Sequence, residues 1–107
     1  MANDKLPSLV RDTVGELART VWAAEPQVNV FLFGSRATGH AGVRSDIDVG
    51  IDLGHPIAPD VLAAVRDAFD ELPILQKVDV VDFSTVDESF KSVALRQTMS
   101  LYERRAA

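Results

Sequence analysis

The chain has 107 residues, 47% of them hydrophobic and 25% charged, with a formal net charge of −5 and no cysteine. That balance argues against disorder, and from the length a single domain spanning residues 1–107 is expected. The missing cysteine excludes disulfides, thiolate zinc sites and a cysteine nucleophile. No apolar run approaches the roughly 20 residues of a membrane span. The opening MANDKLPSLV lacks the basic and apolar regions of a signal peptide, so a cytoplasmic location is expected. An acidic chain without a dense Lys/Arg cluster repels a nucleic-acid backbone, so direct nucleic-acid binding is not expected. So short a chain buries a modest core, which a partner subunit is expected to complete.

In chain order, residues 6–22 place Leu6, Leu9, Val10, Val14, Leu17, Ala18, Val21 and Trp22 at helical spacing, and Glu25-Pro26 ends this helix. Val28 to Phe33 reads as a strand stopped by Gly34. Residues 34–45 are rich in small and turn-forming types and read as a loop. Asp46 to Leu53 alternates, with Ile47, Val49 and Ile51 on one side and Asp46, Asp48, Gly50 and Asp52 on the other. A second helix is expected over 59–72, opened by Pro59 and closed by Pro73. Lys77 to Phe83 reads as a third strand. Thr85-x-x-Glu88 resembles a capping box for a last helix running to about Arg104, with Phe90, Val93, Ala94, Leu95, Met99 and Tyr102 toward the core. The expected order is α-β-β-α-β-α, an α/β domain with a small mixed sheet packed against helices.

The chemistry concentrates in two places. Gly34-Ser35 closes the first strand, and Asp46-x-Asp48 opens the next after ten intervening residues. Two strand carboxylates two positions apart project from one face, roughly 6.5–7 Å apart by strand rise. Such a pair suits a shared hard cation such as Mg²⁺, which takes oxygen ligands and keeps phosphate oxygens. Gly34 permits a sharp turn and a close backbone approach, whose N–H groups can cradle phosphate oxygens. Ser35 adds a hydroxyl. The loop has no Walker A lysine and is not a P-loop. Antiparallel pairing of the first two strands puts Gly34-Ser35 beside the aspartates. A parallel crossover to the third strand puts Asp79 beside them as well. Asp82, three residues on and on the other face, ranks second to Asp79.

Gly34-Ser35, ten residues, then Asp46-Ile47-Asp48 resembles the signature of the minimal nucleotidyltransferases of the DNA polymerase β superfamily. The likeness extends through FLFGSRATGHAGVRSDIDVGID and KVDVVDF, about residues 28–83. The resemblance implies the polymerase β-like palm fold. It implies that Gly34 and Ser35, with Arg36 beside them, contact NTP phosphates. It further implies that Asp46 and Asp48 bind Mg²⁺, two ions in all, and that Asp79 is the third carboxylate and activates the acceptor hydroxyl. Many members are antitoxins paired with a HEPN-domain toxin ribonuclease. The implied activity is transfer of AMP from ATP to a tyrosine of that toxin, in a hetero-oligomer.

Other readings stand beside this one. A pure binding antitoxin would cover its partner without chemistry, and a small-molecule nucleotidyltransferase would use a small hydroxylated acceptor. Arg36 and Arg44 suit either phosphate contact or solvation of the loop. His40 and His55 lack metal-ligand spacing and read as surface residues. Asp52 shares the acidic face but stands far beyond Asp48 and reads as solvated. Trp22 and Tyr102 read as packing or partner-contact residues rather than base-stacking ones.

Overall fold

The computed structural model describes residues 6–34 and 46–105. Seven elements occur among them: α1 (Ser8–Arg19), β1 (Val28–Phe33), β2 (Ile47–Asp52), α2 (Pro59–Asp70), β3 (Val78–Asp82), α3 (Glu88–Ala94) and β4 (Met99–Arg104). The strands form one sheet in the order β3-β2-β1-β4. β1 pairs antiparallel with both β2 and β4, and β2 pairs parallel with β3. The sheet is therefore mixed, as expected, with α2 as the crossover between its parallel strands.

Strand alternation divides the apolar residues between two sides of the sheet. Val28, Val30, Leu32, Ile47, Val49, Ile51, Val78 and Val80 join Val10, Val14, Leu17 and Trp22 and, from α2, Val65 and Phe69 in the main core. Phe31, Phe33 and Phe83 form a second cluster on the opposite side, under α3. Phe90 of α3 closes on it, with ring centroids 5.9 Å from Phe33 and 5.7 Å from Phe83. Gly50 leaves room for this stack: a Cβ there would lie 2.6 Å from the Phe31 ring and 2.7 Å from that of Phe83. Within α1 the expected stripe holds except at Leu9, which is exposed, as is Val21 just beyond the helix.

The C-terminal segment departs from expectation. The last helix stops at Ala94, and Met99–Arg104, read from spacing as its continuation, is instead a strand on the free edge of β1. Asp87 caps this helix, its carboxylate accepting the Phe90 N–H at 2.8 Å. The Thr85-x-x-Glu88 box does not form, because Thr85 Oγ1 donates to the Asp82 carbonyl at 3.0 Å. Pairing with β1 satisfies an edge of backbone N–H and C=O groups that a longer helix would leave open. Arg104 then fastens the new strand to the end of α1. Its Nη1 donates to the carbonyls of Trp22 and Glu25, both at 2.8 Å, and its Nη2 to that of Ala18 at 2.9 Å. Carbonyls at a helix C-terminus have no partner within the helix, and a cation there is favourable.

Candidate active site

The site forms where the end of β1 meets the start of β2. The antiparallel register sets Phe33 opposite Asp48, so the residue after Phe33 arrives beside that carboxylate. That residue is Gly34, with φ of +74°. A Cβ on Gly34 would lie 2.6 Å from Asp48 Oδ2. Glycine is required twice here, once for the left-handed backbone and once for the contact. Ser35, Arg36, His40 and Arg44 lie outside the described residues.

The parallel register sets Asp48 opposite Asp79. Both alternate away from the main core, on the side of the sheet that carries Phe33. Asp46 precedes β2 and is exposed. The backbone between the two aspartates is pinned by the Ile47 N–H, which donates to the Lys77 carbonyl at 2.8 Å. The Asp48 carboxyl is held above its ordinary value, first by partial burial and then by the charges of Asp79 and Asp46. The three carboxylates thus share one local field. Asp79 Oδ1 also has Lys77 Nζ at 3.5 Å.

Asp82 does something else. It is buried on the main-core side of the sheet, where its Oδ2 accepts the Ile57 N–H at 2.8 Å. Its Oδ1 accepts from the Ser84 N–H at 3.0 Å and from the Ser84 hydroxyl at 2.8 Å. Both oxygens are committed to shaping the turns before α2 and after β3. Asp52 is likewise engaged, accepting the Gly54 N–H at 2.9 Å. His55, read as a surface residue, is exposed and bonds Glu25 Oε1 through Nε2 at 2.8 Å, and its Nδ1 lies 2.9 Å from the Pro56 carbonyl. The Glu25 hydrogen bond raises its pKa above the ordinary value, with the Pro56 bond adding to it. Trp22 is buried in the main core, and the Tyr102 ring lies 5.7 Å from the Arg104 guanidinium carbon. A groove of about 380 Å³ between α2 and β3, lined by Leu62, Arg66, Val80 and Asp82 among others, includes none of Gly34, Asp46, Asp48 and Asp79.

The structure thus gathers Gly34, Asp46, Asp48 and Asp79, and separates Asp82 and Asp52 from them. Lys77 was missed from sequence, although its position two residues before Asp79 places it on the same side of an extended chain. Hard oxygen donors crowded enough to perturb one another fit a divalent cation, which relieves their repulsion. Among the described residues, however, no three acidic, histidine or cysteine side chains stand close enough together to hold an ion as placed.

The chain is similar to known proteins. Residues 20–107 match the family model described as "Polymerase beta, Nucleotidyltransferase". A Haemophilus influenzae protein named "Probable protein adenylyltransferase MntA" is 32% identical over 81 residues, which cover 74% of this chain and 69% of that protein. A solved structure described as "Crystal structure of the toxin-antitoxin with AMP-PNP" aligns with a TM-score of 0.60 over 86% of this chain and 72% of that chain. Its sequence identity of 20% makes that likeness one of fold.

Proposed function

Because this chain belongs to the polymerase β nucleotidyltransferase family, we propose that it moves AMP from ATP to a hydroxyl of a partner protein. The acceptor we infer is a tyrosine of a cognate HEPN toxin ribonuclease, and the modification neutralises that toxin. The name of the Haemophilus relative supports a protein acceptor. The toxin-antitoxin structure with AMP-PNP supports a nucleotide and a toxin as the components that meet. One observation carries the chemistry: the Gly34 backbone rests against Asp48, which faces Asp79 on the next strand.

In this reading Gly34, Ser35 and Arg36 contact the triphosphate. Asp46, Asp48 and Asp79 would hold Mg²⁺, which would supply positive charge to offset the negative charge developing on the phosphates. The acceptor oxygen attacks the α-phosphorus in line. The bond from that phosphorus to the oxygen bridging it to the β-phosphorus breaks, and pyrophosphate leaves. Asp79 accepts the proton that the hydroxyl gives up. The acidic surface suits a cytoplasmic partner that brings its own basic groups.

Labelled ATP tests the reaction type. Label in the α-phosphate should pass to the partner protein, and label in the γ-phosphate should leave with pyrophosphate. Transfer from the γ-position instead would make the chain a kinase and overturn the proposal.

A further inference from the structure

Lys77 stands at the junction of the site. Its carbonyl accepts the N–H of Ile47, between Asp46 and Asp48, and its ammonium lies 3.5 Å from Asp79 Oδ1. One residue therefore ties the start of β2 by its backbone and reaches, with its side chain, the carboxylate two positions further along its own strand. Position explains why: Lys77 and Asp79 are two apart in extended chain and project to the same side.

We propose that Lys77 is a positioning residue, the built-in counter-ion of Asp79, which holds that carboxylate in the metal-free chain and yields it when a divalent cation binds. The inference rests on the reading of Asp46, Asp48 and Asp79 as the metal-binding carboxylates. The energetics suit an exchange. The Lys77 side chain is 71% exposed and that of Asp79 is 43% exposed. A pair so open to water is weak and easily parted. It still offsets part of the repulsion among neighbouring carboxylates before the cation arrives. A cation must compete with the ammonium for Asp79. Lysine suits this role because its ammonium is a point charge on a flexible stem, able to swing clear without leaving a planar fork behind.

The test is direct binding of Mn²⁺, followed by the spin-resonance signal of the free ion, with no nucleotide or partner present. Lys77→Met should bind Mn²⁺ about two- to fivefold more tightly than the unaltered chain, the range expected for loss of one exposed ion pair. Lys77→Arg should keep the original affinity. In an Asp79→Asn background the Lys77→Met gain should vanish, because the two groups act as a pair. Unchanged affinity in Lys77→Met overturns the inference, as does an equal gain in the Asp79→Asn background, which would make Lys77 a diffuse charge. No Mn²⁺ binding by the unaltered chain overturns the metal-site reading and this inference with it. Binding with no response to Lys77 overturns the inference alone.

Discussion

Asp48 Oδ2 occupies the space that a side chain on Gly34 would need, 2.6 Å from the position of its Cβ. The turn that ends β1 and the carboxylate near the start of β2 are thus shaped by one contact. Gly34→Ala should lose stability by about 1–3 kcal/mol, since its φ of +74° is unfavourable for any side chain and the carboxylate must also move. Activity should fall further than stability explains, because displacing Asp48 disturbs the carboxylate set. Nucleotide transfer measured well below the melting temperature checks this.

Asp79 and Asp82 invite a paired comparison. Asp79→Asn should abolish transfer and leave the melting temperature nearly unchanged, since its described partner is one exposed lysine. Asp82→Asn should do the reverse, costing about 1–3 kcal/mol, because its buried oxygens take hydrogen bonds from Ile57 and Ser84. Thermal melts and transfer assays on both variants separate the roles.

The crowding of Asp48 has a pH signature. Its folded-state pKa is raised by burial and by Asp79 and Asp46, so the folded chain holds this proton more tightly than the unfolded chain. The metal-free fold is therefore favoured below the unfolded pKa, near 3.8, and loses that advantage as pH rises through the folded value. Asp48→Asn removes the cost. In the presence of a chelator, the variant should melt higher than the unaltered chain at neutral pH, with a difference that shrinks toward pH 4. Its transfer activity should drop on the order of 100-fold or more. Melts across pH in chelator check the sign.

Arg104 predicts a stability effect far from the chemistry. Its guanidinium satisfies carbonyls of Ala18, Trp22 and Glu25 together. Arg104→Ala should cost about 2–3 kcal/mol, and Arg104→Lys should recover only part, because a point charge cannot reproduce the fork. Denaturant unfolding with an unchanged slope would confirm a loss of stability rather than a change of fold.

These relationships differ in how far the sequence alone reveals them. The alternation of Asp46 to Leu53 reports which residues face the core, and the helix between β2 and β3 reports a parallel crossover. Together they place Asp48 beside Asp79 before any coordinates are known. Parity alone also separates Asp79 from Asp82. The partners that tie down Asp82 are not visible locally, since Ile57 lies 25 positions away. β4 is missed for the same kind of reason. Residues 88–104 carry apolar residues at a spacing that reads as helix, and only the open edge of β1 makes Met99–Arg104 a strand. The Arg104 clamp joins residues 79 to 86 positions apart and leaves no local signal. Ser35 and Arg36, read from the motif as phosphate contacts, lie outside the described residues.

Nucleotide transfer to a protein is read by intact-mass spectrometry of the protein encoded beside this chain, after incubation with the chain, Mg²⁺ and ATP. A mass gain of one or more AMP units, absent with Asp46→Asn, is the predicted result. No gain with any of the four NTPs, while a stable complex still forms, would contradict nucleotide transfer and favour a protein that acts by binding alone.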